Sequence, residues 1–578
     1  MDETNVVIES LIFPTRHLPY CFTNYDLYEK LDLIFEEYGS IENVLADNFE
    51  LKDGKLNKFK GYYDSTYGMK KGTEPLDVYI SKPDGANRII SIVNPLVLIP
   101  LHFYINKYHE QILQEQLEPR EDYDSSSRFS YTEGVFCRQY DYDGEPILGE
   151  YENVTQPNFK QNLINRQKIC DGKYYHLGID ISNFYNSIYT HSISWDLIHD
   201  EHKKIFDNLD YLNRSLNKNE TKGIITGPYT SSLFAEIILS KVDKQIMKYC
   251  KEKDISYIRF CDDYDFYSDS KEELENGLRL KISETLSNYK LDLNLHKMVL
   301  EEFPFISLNT IQNKDIYLLI NRIESHSYET SLNFVEDIMN EINKSLKIKY
   351  SSCNYLLKII NNKISKGVIT SDNFDKETAE VLLDFLMNTM FKQNMVSKEC
   401  SNLIIKLFGL IDLDKKRIIN KWIRKRKSRL SHLKEITDIW LAYLIIRTET
   451  IGDNIDEYML EIMKKSDTCA VLVLEYLNKN KLIDKYATEI KEYIKQIEME
   501  LKQRYGADWK KASYYSRFWL LLYTNSIRWK IHENINYEDT ILNELEINNL
   551  MMDDELKNRL NIFKIMYKND IEFLSFKN

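Results

Sequence analysis

The period of the hydrophobic positions changes along the chain and divides it. In residues 76–95 (LDVYISKPDGANRIISIVNP) two apolar strand-like runs flank Pro83-Asp84-Gly85, a hairpin-turn signal. In residues 257–267 (YIRFCDDYDFY) apolar and aromatic positions alternate up to an Asp-Asp pair and resume after it. That pattern predicts a β-hairpin with the acids at its tip. His176 to Asp180 (HLGID) reads as a strand ending in an acid. Between these runs the period lengthens: residues 96–118, 233–247 and 272–291 carry apolar residues at helical spacing. Leu27, Leu31, Ile34, Phe35 and Tyr38 predict a helix over residues 24–38 with Gly39 as its stop, whereas the Lys-Gly-rich stretch 53–72 reads as loop. Residues 119–173 are polar and Tyr-rich, with no readable period. From about residue 325 helical periodicity dominates and Gly and Pro are sparse. The expectation is an α+β protein with an N-terminal segment (1–75), a strand-bearing region (76–325) and an all-α C-terminal half (326–578) stacked as a helical, repeat-like array.

Composition narrows the function classes. The 578 residues are 43% apolar and 29% charged, as in an ordinary soluble protein, and are enough for several domains. A net charge of −14 argues against a generally basic protein that coats nucleic acid, so any such contact should be local. Eight scattered cysteines without a CxxC pair suit a reducing compartment. Acids rather than a basic stretch follow Met1, so no secretion signal is expected. The most apolar run, Ile89 to Ile105, is broken by Asn94, Pro95, Pro100 and His102, which speaks against a membrane span. A cytoplasmic protein without a membrane partner is expected.

Several positions carry candidate chemistry. Two adjacent carboxylates raise each other's pKa, so Asp262-Asp263 is either a solvated acidic turn or a site for a divalent cation. Asp180, closing a buried strand, is costly unless bonded or metal-bound. Lys82 and Arg88 bracket the first hairpin turn, either solvated or as clamps on a triphosphate. The stretch GIITGPYTSS at 223–232 puts Gly227 in a tight turn ahead of a helix, where a ligand can approach the backbone. Lys297 is most simply a solvated lysine. Lys415 to Lys434 is a basic helix whose Arg424, Lys425 and Arg426 form either a solvated face or a phosphate-contacting patch.

In this order the pieces resemble the fingers and palm of reverse transcriptases, over about residues 76–305. Asp180-Ile-Ser-Asn-Phe-Tyr resembles their first palm motif, and Gly-Ile-Ile-Thr-Gly-Pro-Tyr-Thr-Ser their second. Phe260-Cys261-Asp262-Asp263 resembles the YxDD box, with Phe for Tyr, and Leu293-Asn-Leu-His-Lys297 the fourth motif. Within that group the chain resembles the abortive-infection (AbiK-like) reverse transcriptases of bacteria. Three features carry this: the run from Asn183 to Trp195, Thr226-Gly227 where retroviral and intron-encoded enzymes usually have Gln-Gly, and the helical C-terminal half, HEAT-like in this reading. The resemblance implies antiphage defence in a bacterial cytoplasm, oligomer formation, and untemplated DNA synthesis started from a tyrosine hydroxyl, giving a single-stranded product attached to the protein. It implies Asp180 and Asp262 as ligands of two Mg²⁺ ions, with Mn²⁺ able to replace them, and Asp263 as support. Lys82 and Arg88 would hold the dNTP triphosphate, Tyr185 would stand where the family has its steric gate, Gly227 would line the nucleotide site, and Lys297 would assist pyrophosphate departure. Tyr38, upstream of the fingers, is the candidate priming residue. A templated reverse transcriptase with a partner RNA is the alternative, and a non-catalytic nucleic-acid-binding protein a third reading.

Overall fold

The computed structural model describes residues 13–14, 17–81, 87–117, 129–130, 169–305, 314–325, 328–348, 350–427, 435–531, 545–550 and 559–576. The N-terminal helical signal resolves into two helices, Tyr25–Glu29 and Leu31–Tyr38. The second ends, as expected, on Gly39 in the left-handed region at φ 70°. The segment expected as loop contains a hairpin instead: β1 (Phe49–Lys52) pairs with β2 (Lys55–Phe59). Its turn is Asp53-Gly54, with φ of 52° and 72°. Asp-Gly is a strong two-residue turn signal, outweighed in the sequence by the surrounding lysines. A short pair follows, β3 (Tyr63–Asp64) with β4 (Met69–Lys70).

The predicted hairpin at 76–95 is present as β5 (Leu76–Ser81) and β6 (Asn87–Ile92). Its opposed pairs Leu76–Ile92 and Val78–Ile90 are buried, while Tyr79–Ile89 faces outward. This is the period-2 alternation of a half-buried ribbon. Asn94 then caps a buried helix, Pro95–Lys107, by accepting a hydrogen bond from the Leu96 amide.

The central sheet has five strands: β7 (Phe129–Ser130), β8 (Tyr175–Asp180), β9 (Ser256–Phe260), β10 (Asp263–Ser268) and β11 (Val299–Glu302). Their spatial order is β11-β8-β10-β9-β7, antiparallel except for β7 with β9. Leu177, Ile179, Tyr257, Tyr264 and Phe266 join the main hydrophobic core. Ile258 and Tyr267 pack with Ile169 and Phe305 in a second, smaller cluster. The helix Tyr229–Glu252, which the turn at Gly227 opens, is tied to the sheet through β9.

Beyond residue 314 the described residues are mainly helical, in segments such as Ser331–Ile348, Tyr350–Ser365, Lys376–Lys392 and Ser397–Leu410, where the second and third each pack against both the first and the fourth. This half is not isolated from the rest, since one hydrophobic core runs from Phe13 to Leu574. The Tyr79 amide of β5 donates to Glu435, and Arg504 pairs with both Asp64 and Glu74. The chain ends are knitted together as well: Thr23 N donates to Phe573 O, and Ser575 N to Cys21 O. Among the described residues no helix is long and apolar enough to cross a membrane.

Candidate active site

Sheet register builds the site. Asp263 opens β10 opposite Asp180, the last residue of β8, and on its other side pairs with Phe260 of β9. Cys261-Asp262 is therefore the two-residue tip of the hairpin; the hairpin is the expected one, but of the Asp-Asp pair Asp262 lies in the turn and Asp263 opens the strand. Cys261 sits at φ 56°, an unusual conformation for a residue with a Cβ. The Asp262 carbonyl accepts from the Ile181 amide at 3.3 Å, fastening the tip across the end of β8. Three carboxylates thus share one corner of the sheet.

The electrostatics of that corner follow. Burial, and then the charge of Asp180, push the Asp262 carboxyl up from its ordinary value. Burial and the charges of Asp262 and Asp180 raise Asp263 to about 7. Two groups answer the negative charge at Asp180 Oδ2: Asn294 Nδ2 donates to it at 2.9 Å, and Lys297 Nζ lies at the same distance. The Asn294 amide also donates to the Asp180 carbonyl at 2.8 Å. Lys297 is therefore not a merely solvated lysine, although its side chain is 64% exposed; hydrogen bonding to Asp180 raises its pKa. Asn294, a direct hydrogen-bond partner of Asp180, is a neighbour that the motif order alone leaves unassigned.

A hard divalent cation fits this donor set. Carboxylate oxygens are gathered at a cost that a cation would remove. Among the described residues no three His, Cys, Asp or Glu side chains form a ready metal cage, so such an ion would share its shell with phosphates and water, as Mg²⁺ commonly does.

Tyr185, in the short helix Phe184–Ser187, reaches this corner. Its hydroxyl lies 3.6 Å from Cys261 Sγ and 3.4 Å from Ser232 Oγ, so it spans from the hairpin tip to the helix after Gly227. Burial raises its pKa well above the usual phenol value, keeping it a neutral ring. Gly227 has φ 139°, and a Cβ there would meet the Ser91 carbonyl at 3.1 Å and Pro14 at 3.2 Å. Thr226 O accepts from Ser91 N at 3.0 Å. The glycine thus lets the second motif dock directly on β6, the strand that carries Arg88. Arg88 is exposed near the hairpin tip, and Lys82 lies outside the described residues.

Two buried polar groupings escape sequence reasoning. Asp265 lies 2.8 Å from His176 Nε2, and His176 Nδ1 lies 3.1 Å from Glu301 of β11, so His176 ties three strands together. Behind the hairpin, Arg259 is enclosed by Glu236 and Asp243. An arginine in a strand pattern was the available signal, because a fully buried guanidinium requires acidic partners.

The remaining candidates lie elsewhere. Tyr38 donates to Asp47 Oδ2 at 2.9 Å, and burial with that carboxylate's charge raises its pKa. In the basic helix Lys415–Lys427, Arg426 is bonded to Asp438 and Lys425 lies 3.5 Å from Asp384, while Arg424 is exposed. Residues 428–434 lie outside the described residues.

Residues 105–356 match the family model described as reverse transcriptase (RNA-dependent DNA polymerase). A retron reverse transcriptase, Ec83 of Escherichia coli, is 29% identical over 149 residues, which are 24% of this chain and 47% of that protein. The chain thus spans about half the length of the curated relative it matches. Solved structures of apo telomerase from Candida tropicalis and of telomerase from Candida albicans with a telomeric RNA fragment overlap 71% and 73% of this chain and 74% and 71% of their own. Their identities are 14% and 13% and their TM-scores 0.29 and 0.27, too low to inform the site. The matched region of this chain is a reverse-transcriptase-like nucleotidyltransferase domain, related to that of a bacterial retron enzyme and continued by a helical C-terminal region.

Proposed function

We propose that the chain is a DNA polymerase that adds deoxynucleotides to a hydroxyl by in-line displacement at the α-phosphate. The carrying observation is the register that sets Asp263 opposite Asp180 with Asp262 at the adjoining tip. Asp180 and Asp262 would hold two Mg²⁺ ions, which supply a clamp on the attacking and leaving oxygens when bound. Asp263 supports them. Asn294 holds Asp180 in place, and Lys297 stands where it can meet the leaving pyrophosphate. Arg88, with Lys82, neutralises the triphosphate, and Gly227 lets the nucleotide approach the backbone. The Tyr185 ring excludes a ribose 2′-hydroxyl, favouring dNTPs. Catalysis is then positioning and charge stabilisation.

We read this polymerase further as an antiphage, abortive-infection enzyme of AbiK type: oligomeric, untemplated, and primed by one of its own tyrosines, with its single-stranded product left attached. The run from Asn183 to Trp195, Thr226-Gly227 and the HEAT-like helical half (326–578) support this. Tyr38 is the candidate primer; its phenol, which donates to Asp47, must lose its proton to attack. Arg424 is exposed on the basic helix, where a product strand could reach it.

The test is incubation of purified protein with labelled dNTPs and Mg²⁺ alone, then denaturing electrophoresis before and after proteinase. Label that migrates with the protein until proteolysis supports untemplated, protein-primed synthesis. The match to a retron enzyme favours a second reading, templated synthesis on a partner RNA. Product that forms only when RNA is added, and mirrors its sequence, decides for that reading.

A further inference from the structure

We propose that Arg259 is a positioning residue for the carboxylate turn, a role that rests on the polymerase reading above. Arg259 is 0% exposed on β9, and its guanidinium uses all five N–H donors. Nε donates to Asp243 Oδ2 at 3.0 Å, and Nη2 to Asp243 Oδ2 at 2.8 Å and Glu236 Oε1 at 2.9 Å. Nη1 donates to Glu236 Oε2 at 2.9 Å, and its second bond, also 2.9 Å, goes to the carbonyl of Cys261. The Tyr264 hydroxyl completes the cluster by donating to Asp243 Oδ1 at 3.2 Å.

The bond to the Cys261 carbonyl gives the cluster a role beyond packing. Cys261 is the first residue of the two-residue tip, held at φ 56°. A residue with a Cβ keeps that conformation only when its surroundings over-determine it. Here the determinant is a guanidinium clamped by two carboxylates of one helix, which draws the Cys261 carbonyl toward the core. The peptide that follows that carbonyl leads into Asp262, so this bond sets the direction in which the Asp262 carboxylate leaves the turn. Lysine cannot reproduce it, because a point-charge ammonium has no fork to span two acids and a carbonyl. The clamping helix is also the one that Thr226 and Gly227 dock onto β6. The turn is therefore referenced to the element that carries Arg88.

The test measures the full-length protein in two ways: kcat and KM for dNTP incorporation, and Mn²⁺ binding without nucleotide by titration calorimetry. Arg259→Lys is expected to lower kcat about 100-fold, the effect of a misplacement on the order of 1 Å. KM should change less than about threefold, and the Mn²⁺ dissociation constant should rise about tenfold, from weaker convergence of the carboxylates. Tyr264→Phe, which trims the same buried cluster without touching the turn, should lower thermal stability and leave all three values near wild type. If Arg259→Lys lowers thermal stability alone, the residue is structural and the proposal fails. Should that variant not fold, Arg259→Met/Glu236→Leu/Asp243→Asn replaces the buried charges with groups of similar volume, a change that proteins often tolerate. The triple variant should fold with the same loss of kcat; wild-type kcat there overturns the proposal. Wild-type protein that neither binds Mn²⁺ nor incorporates dNTP overturns the polymerase reading and this role with it. Wild-type activity with an unaffected Arg259→Lys overturns this role alone.

Discussion

The hairpin tip at residues 260–263 and the helix Lys415–Lys427 are both dense in like charge, and the protein treats them in opposite ways. On the helix most cations meet an acid of the same half. Arg426 is bonded to Asp438, Lys421 and Lys425 to Asp384, Arg417 to Glu380, and Lys427 lies 3.2 Å from Glu461. At the tip, Asp180, Asp262 and Asp263 crowd together, and among the described residues the cation bonded to Asp180 there is Lys297, with the Asn294 amide beside it. A balanced charge cluster ties helices to each other, whereas an unbalanced one awaits something from outside. The same contrast recurs within the palm, where Arg259 behind the tip is fully balanced and the tip itself is not.

The largest effect expected from this contrast is at the tip. Asp262→Ala or Asp180→Ala should cut dNTP incorporation at least about a thousandfold, since a preorganised charge centre supplies several kcal/mol to the transition state. Their metal-free melting temperatures should hold or rise, because each change relieves repulsion among carboxylates. Incorporation by Asp262→Ala at the wild-type rate would place the chemistry elsewhere in the chain.

The helix should respond in the reverse sense. Arg426→Ala strands Asp438, which is buried and otherwise bonded to the Tyr458 hydroxyl at 2.7 Å. Loss of one partner from such a pair is expected to cost about 3 kcal/mol, read as a lower denaturant midpoint. Arg424→Glu, at an exposed position, should change stability by less than about 0.5 kcal/mol. Unchanged DNA length and yield in Arg424→Glu would remove this helix from the product path.

Asp47 tests a smaller imbalance, a single buried acid whose carboxylate accepts from the Tyr38 hydroxyl. Burial pushes its pKa up to about 7 from 3.8. The folded state therefore holds its proton more tightly than the unfolded chain does. The stability this gives is present at low pH and is lost as pH rises from about 4 through 7. Asp47→Asn should melt above wild type at pH 8, by an order of magnitude of about 2 kcal/mol, and level with it near pH 4. Melting curves at the two pH values check the sign. An equal gain at both would show that the charge of Asp47 is not the cause.

Much of the site is legible in the sequence because it is built from short-range pattern. Strand alternation places Asp262-Asp263 at a tip and Asp180 at a strand end, and the register then joins them. What escapes the sequence is long-range partnership. Arg259 takes its acids from a helix 16 and 23 residues away, and His176 joins Asp265 and Glu301 from separations of 89 and 125. No local period encodes such pairings. The basic helix misleads for the same reason, since Asp384, Asp438 and Glu461 that answer it sit in other helices. The union of the N-terminal segment with residues 573–575 is equally invisible, being made by backbone hydrogen bonds that carry no side-chain signature. The Asp53-Gly54 turn is different. Its signal is local and present, and was outweighed only because lysines on both sides resemble a solvated loop.

Tyr185 separates the two kinds of region most finely, since it is partly buried against the core yet borders the unbalanced tip. Its hydroxyl lies near Cys261 and Ser232, and its ring stands against Phe184 at 5.3 Å between centroids. As packing alone, Tyr185→Val would lower stability and leave sugar preference intact. As the wall of a nucleotide site it would open room for a 2′-hydroxyl. We expect Tyr185→Val to raise the efficiency ratio of rNTP over dNTP about tenfold, equal to about 1.4 kcal/mol of lost discrimination. Tyr185→Phe keeps the ring and should keep the preference, losing only the weak contacts of the hydroxyl. Competition between labelled dNTP and rNTP in one reaction measures the ratio directly. A ratio that moves in Tyr185→Val and not in Tyr185→Phe assigns selection to the ring; a ratio that moves in neither returns Tyr185 to the scaffold, on the balanced side of the contrast.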